Sequence, residues 1–128
     1  MSFKVNADLV ALFKGVVVSL KPYALGQDVN LSFESSIPSQ FSYYHPKDFL
    51  PEIASLLSKI ISFTPRSYGV HVSFDKDESK KDFCVLQILN TGVNLSHVTE
   101  ILNTVSFEIN SEDLNSNSTL FKVSIPIL

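Results

Sequence analysis

The chain has a single cysteine, no block of basic residues, no internal repeat and no apolar run long enough to span a bilayer. Each absence removes a class of function. Cys84 alone cannot form an internal disulfide, and it lies in the apolar stretch FCVLQIL, where a free thiol behaves as a small buried hydrophobe. That usage suits a reducing compartment. Lys and Arg number 10 and Asp and Glu 13, giving a formal net charge of −3, so recognition of nucleic acid by phosphate neutralisation is not expected. The stretch LVALFKGVVVSL near the start is broken by Lys14 and is too short for a transmembrane helix, and no secretory signal is visible. The expectation is a soluble, cytoplasmic domain without membrane contact. His45, His71 and His97 lack the spacing of a metal site, so no metal is expected.

The 128 residues, 45% of them apolar, suffice for one compact domain, residues 1–128, with a sizeable core. Residues 6–24 carry helical spacing, with Leu9, Leu12, Phe13, Val16, Val17 and Leu20 on one face, Asn6 as N-cap and Pro22 ending or kinking the helix. VNLSFES alternates as a strand, and SIPSQFSYYH reads as a loop finishing in a short strand. Residues 51–63 return to helical spacing through Ile53, Leu56, Leu57, Ile60 and Ile61. Pro51 suits the first turn of that helix, but a start near Pro46 would place it inside as a kink. VHVSF and FCVLQIL form a hairpin around the charged turn DKDESKKD. Ser96 caps a short helix, HVTEILNT, and VSFEI pairs with TLFKVSIPI around the polar loop NSEDLNSNS. Antiparallel strands with helices long enough to cover one face predict an α+β fold, a two-layer sandwich.

Taken in order, four stretches resemble the ATP-binding domain of sensor histidine kinases, the Bergerat fold shared with gyrase B, Hsp90 and MutL. FKVNADLVALFKGVVVSLKPYALGQDVNLSFES is similar to the opening helix and first strand of that family, and SLLSKIISFTP to its asparagine helix. VLQILNTGVNL is similar to its first glycine box and STLFKVSIPIL to its last strand. The resemblance covers nearly the whole chain and implies a mixed sheet covered on one face by helices.

The same resemblance assigns the nucleotide-site positions and exposes their departures. Ser55 and Lys59 stand where the family helix carries asparagines, one of which helps hold Mg²⁺; a lysine ammonium has no acceptor atom to ligate a metal. Asn90 replaces the aspartate that accepts a hydrogen bond from the adenine amino group. Its carbonyl can still accept one but loses the charge, worth roughly 1 kcal/mol. Gly92 keeps a family glycine, and Asn94 replaces the next, adding a side chain. Only residues 95–104 bridge the interval where the family has its flexible ATP lid, second glycine box and another helix. Tyr43 and Tyr44, which flank the family's cleft by alignment, could fill it.

Other candidate chemistry is weaker. The family's phosphoacceptor histidine would lie on a dimerising helix that this chain does not show. Ser58 and Ser62 read as helix-surface serines, and Lys14, Lys59 and Arg66 as a solvated face or a cationic pocket mouth. The reading is therefore a non-catalytic histidine-kinase-like domain, without cofactor, acting through a protein partner in two-component-type signalling. That partner would be a kinase helical domain or a response-regulator receiver. The alternatives are weak metal-independent binding of ATP or ADP through Asn90, Gly92 and Lys59, and an active kinase domain completed by a partner chain.

Overall fold

The computed structural model describes residues 4–128; residues 1–3, with Phe3 at the head of the opening motif, lie outside the described residues. Val5–Asp8 forms strand β1, which pairs antiparallel with β3, Phe41–Tyr44. Helix α1 follows as Leu9–Gly26. Its N-cap is Asp8, not Asn6: the Asp8 carboxylate accepts from the Val10 amide at 3.1 Å and from the Gln40 amide at 2.9 Å. One side chain thus starts the helix and closes the small sheet, and strand pairing takes the residues that helical spacing alone had assigned to α1.

Pro22 does not end α1, which runs one turn further. The missing proline amide frees the carbonyl of Val18, a residue 53% exposed, so water can accept the role of partner. The 18-residue α1 is long and apolar enough to cross a membrane by length and composition, longer than its unbroken apolar stretch suggested. Here it is a covering helix, with Leu9, Phe13, Val17 and Ala24 sunk in the core.

Strand β2, Asn30–Ser35, leads through β3 into α2, Pro46–Phe63. The helix takes the earlier start, with Pro46 in its first positions and Pro51 inside. Pro51 and Lys47, whose carbonyl loses its helical donor, both face solvent, which makes the interruption tolerable. β4, Gly69–Lys76, then pairs parallel with β2, a pairing that requires a crossover of the kind β3 and α2 provide. β4 and β5, Phe83–Thr91, form the expected hairpin around the charged turn.

Helix α3 is shorter than its apolar spacing suggested, Thr99–Leu102, and starts from Val98; Ser96 has a different task, described below. The last hairpin is displaced from its expected place: of VSFEI only Ile109 is strand, because Val105 to Glu108 run over α2 instead. β6 is Ile109–Asn115 and β7 is Ser118–Pro126, so most of the presumed polar loop is strand, with an irregularity between Asp113 and Asn115. Polar residues are at home in β6 because it is the sheet edge and largely solvated.

The main sheet has the order β2-β4-β5-β7-β6, mixed and covered on one face by the helices. Val70, Val72 and Phe74 of β4, Cys84, Leu86 and Ile88 of β5 and Phe121, Val123 and Ile125 of β7 alternate onto the helical side, all buried. Cys84 is a free thiol there, and burial pushes its pKa up. Phe13 of α1 joins the layers, its ring 4.9 Å from Phe74 of the sheet and 5.5 Å from Phe49 of α2. Phe13→Ala is expected to cost about 3–5 kcal/mol, the range for a fully buried phenylalanine, read as a lowered urea midpoint with an unchanged slope.

Candidate functional site

The three glycine-box positions lie together after β5. Asn90 is the last helix-facing residue of that strand and is fully buried, opposite Val70 of β4 and Thr119 of β7. Its amide donates to the Val93 carbonyl at 2.9 Å, closing the turn. Its side-chain oxygen, Oδ1, is buried and has no hydrogen-bond partner. An orphaned buried acceptor costs about 1–3 kcal/mol, so this atom is a point of stored cost.

Gly92 has φ +94°, a conformation that favours glycine. A Cβ built on it would lie 2.5 Å from the Tyr68 ring, so the glycine lets that ring lie against the backbone. The residue is needed for an internal contact as well as for its backbone angle.

Asn94 is bound on all sides. Its amide donates to Asp113 Oδ1 at 2.9 Å and to the carbonyls of Asn115 at 3.1 Å and Ser118 at 3.3 Å. Its Oδ1 accepts from the amide and hydroxyl of Ser96 at 3.0 and 2.7 Å, an Asx-turn. Asn94 therefore locks the loop after β5 onto the tip of the β6–β7 hairpin. The Ser96 hydroxyl and the Asn94 amide hold the Asp113 carboxyl below the usual carboxylate range. The next residue, Leu95, is buried, and its amide donates to Thr119 Oγ1 at 2.6 Å.

The asparagine-helix positions are covered by the short bridge that leads from α3 to β6. Lys59 Nζ donates to Thr104 Oγ1 at 3.2 Å. About two turns towards the start of α2, Glu52 Oε2 accepts from the amide and hydroxyl of Ser106 at 3.3 and 3.0 Å. Another turn back, the Phe49 ring meets Phe107 edge-on, centroids 5.2 Å apart. The bridge thus descends α2 antiparallel to it, over the side that Glu52 and Lys59 share by helical spacing. Ser55, half-buried on the same helix, uses its carbonyl to accept the Ser58 hydroxyl. Ile101 and Val105 anchor the bridge in the core.

Tyr43 and Tyr44 do not fill this cleft, contrary to the alignment. They belong to β3, and Ser42 beside them accepts the Leu128 amide on its hydroxyl at 2.9 Å. They stand at the Phe83–Pro126 end of the sheet, whereas Asn90 pairs with Thr119 at the other. A short aligned segment gives no register when β3 leaves the main sheet to pair with β1. The ring at the glycine turn is Tyr68, whose place just before Gly69 of β4 was the available signal. The three cations do not gather either: Lys14 is exposed, Lys59 reaches Thr104, and Arg66 lies 3.8 Å from Asp28.

Ser58 and Ser62 donate to carbonyls of their own helix, as surface serines do. The structure does bring together one array that spacing had not revealed. His71 Nδ1 bonds the Ser32 hydroxyl and His71 Nε2 meets Glu34 Oε1 at 2.9 Å, across the parallel β2–β4 pair. Glu34 is 71% exposed and the array lies on the sheet face away from the helices, where solvent screens it. Among the described residues no group of His, Cys, Asp and Glu could hold a metal.

No family model matches the sequence, and no curated protein matches it. Solved structures do match the fold. The nucleotide-free catalytic domain of histidine kinase ThkA superposes with a TM-score of 0.78 at 12% identity, covering 98% of this chain and 97% of that one. Histidine kinase ThkA in complex with the response regulator protein TrrA gives 0.78 at 12% identity, over 99% of this chain and 42% of that one. The Acinetobacter baumannii histidine kinase AdeS gives 0.73 at 11%, over 99% of this chain and 68% of that one. The chain has the fold of a histidine kinase ATP-binding domain.

Restoring a glycine at Asn94 tests whether that residue is a damaged ligand position or a structural lock. Asn94→Gly is expected to lose about 2 kcal/mol of stability with its network of hydrogen bonds. Because the Asp113 pKa is lowered in the folded state, its share is present above the unfolded carboxyl range and is lost as pH falls through the folded value. The gap between Asn94→Gly and the parent should therefore narrow in acid, measured by urea unfolding across pH.

Proposed function

We propose that this domain is a non-catalytic member of the histidine-kinase-like ATPase fold. On this reading it works in the cytoplasm by protein contacts in two-component-type signalling, without ATP hydrolysis or phosphotransfer. The observation that carries the reading is the bridge laid along α2. Thr104 takes Lys59, Ser106 takes Glu52 and Phe107 takes Phe49, so internal partners occupy the helix side to which the resemblance assigns the metal ligand. The glycine turn is committed in the same way, through Tyr68 against Gly92 and the hairpin on Asn94. A triphosphate would have to displace a chain segment anchored by Ile101 and Val105. The partner on this reading is a kinase helical domain or a response-regulator receiver. The TrrA complex of the similar ThkA kinase lends support to the latter.

One observation favours a second reading, metal-independent binding of ADP or ATP. The orphaned Oδ1 of Asn90 is an acceptor without a donor, and an adenine amino group is a donor of the right kind. Asn90 is fully buried, so a ligand reaches this atom only after its cover has moved.

Thermal unfolding of the protein with about 2 mM ATP or ADP, each with Mg²⁺ or with EDTA, separates the readings. A site of dissociation constant near 20 μM would add roughly 2.7 kcal/mol, a shift of several degrees. No shift in any condition is the expected result. A shift that survives EDTA and disappears in Lys59→Ala supports the second reading, and a shift that requires Mg²⁺ overturns the proposal.

A further inference from the structure

The end of the sheet far from the glycine turn carries a cavity of about 210 Å³. Tyr43, Tyr44, Phe49 and Phe107 supply its apolar wall, and Asp48 and Glu52 its acidic groups; His45 also lines it, held by a contact of its own, and among the described residues no Lys or Arg does. The wall is an aromatic cluster: Tyr44 meets Phe49 at 5.4 Å and 61°, and Phe49 meets Phe107 at 5.2 Å and 76°. Tyr43 is 50% exposed, which leaves its ring open to an arriving group.

Asp48 lies in the first turn of α2, where a carboxylate offsets the positive end of the helix dipole. Glu52 lies one turn further along, beyond that need. Its Oε2 is taken by Ser106, and among the described residues neither carboxylate forms an ion pair with a Lys or Arg. Lys47 is exposed in the same turn but does not line the cavity. Aromatic faces attract a cation, and a flanking carboxylate adds directional hydrogen bonds. The combination suits a side chain with an apolar stem and a charged planar tip, able to lie along the rings and turn its fork to an acid.

We propose that this pocket is a docking point for an arginine side chain of a protein partner. The proposal rests on the interaction-module reading above and gives it a location. The arginine stem would lie on Tyr43 and Phe107, and its guanidinium would meet Asp48 and the remaining oxygen of Glu52.

The test is a titration of the full chain, followed by amide proton–nitrogen correlation spectra, with acetyl-arginine amide. Acetyl-norleucine amide and tetramethylammonium serve as comparison probes. The arginine probe should saturate in the millimolar range, on the order expected of a single side chain, and perturb the amides of Tyr43, Tyr44, Asp48 and Ser106. The uncharged probe should bind at least about fivefold more weakly, and Asp48→Asn and Glu52→Gln should each weaken the arginine probe by about three- to tenfold. Glu52→Gln also touches the Ser106 contact, so Asp48→Asn, which breaks no side-chain contact found here, is the cleaner variant. Equal binding of norleucine amide would reduce the pocket to an apolar hole and overturn the proposal. Tighter binding of tetramethylammonium would overturn it in favour of a small cationic ligand, and absence of perturbation up to about 50 mM would end it. Mg²⁺-dependent nucleotide binding at the glycine turn would instead defeat the non-catalytic reading while leaving the pocket result standing.

Discussion

Strand β5 sets the terms for the rest of the molecule. It lies between β4 and β7 in the middle of the main sheet, and its alternation decides what each face holds. Cys84, Leu86, Ile88 and Asn90 all point to the helices, and each is at most 1% exposed. A slip of one residue would send all four to the other face and bring Gln87 inwards, a change the core does not permit. The same register that packs Leu86 and Ile88 therefore buries Asn90 at the end of the row. It also delivers the chain to Gly92 at the point where it must turn. The resemblance to a glycine box is thus held in place by core packing, whatever binds there.

How far the sequence could be read follows from the same distinction. Period-2 runs in β4, β5 and β7 and the apolar stripe of α2 were legible because burial on one face leaves an unambiguous pattern. The β1–β3 pair was not, since VNAD and FSYY are short and their partnership spans over thirty residues with no local mark. β6 was missed because an edge strand with solvent on its exposed side need not be apolar, and SEDLN reads as loop by composition. Pro22 and Pro51 were ambiguous because the cost of a proline in a helix depends on whether the freed carbonyl meets water, which is a tertiary fact. For the candidate site, the resemblance named Asn90, Gly92, Asn94, Ser55 and Lys59, and only the structure shows what each of them contacts. Their partners, Val93, Tyr68, the β6–β7 hairpin, Ser58 and Thr104, are contacts that no spacing rule supplies.

Those partners also explain how a domain can keep this frame with a short bridge between its glycine turn and its last hairpin. A long segment held open would leave the α2 flank and the sheet end to be covered by ligand or water. A short one must satisfy them itself. Leu95, Ile101 and Val105 supply apolar cover, and Thr104 and Ser106 supply hydrogen bonds to Lys59 and Glu52. Asn94 then gives the hairpin a fixed anchor through bonds to the carbonyls of Asn115 and Ser118. Among the described residues the one buried side-chain polar atom left without a partner is the Asn90 oxygen, so the internal accommodation is nearly complete but not total.

The two ends of β5 consequently differ in what they can offer a partner. Near Asn90 the polar groups except its own side-chain oxygen are spent on one another, and Tyr68, packed on Gly92, is half exposed. At Phe83 and Pro126 the aromatic pocket holds two carboxylates, and among the described residues neither forms an ion pair with a Lys or Arg. From Phe83 to Asn90 the strand spans roughly 24 Å at ~3.4 Å per residue, beyond the distance over which independent sites usually couple. Fixing the glycine turn by internal contacts therefore need not alter the pocket. The bridge runs between them beside α2, crossing from Lys59 to Phe49. Thr104, Ser106 and Phe107, with the α2 residues they contact, form one contiguous route between the two ends.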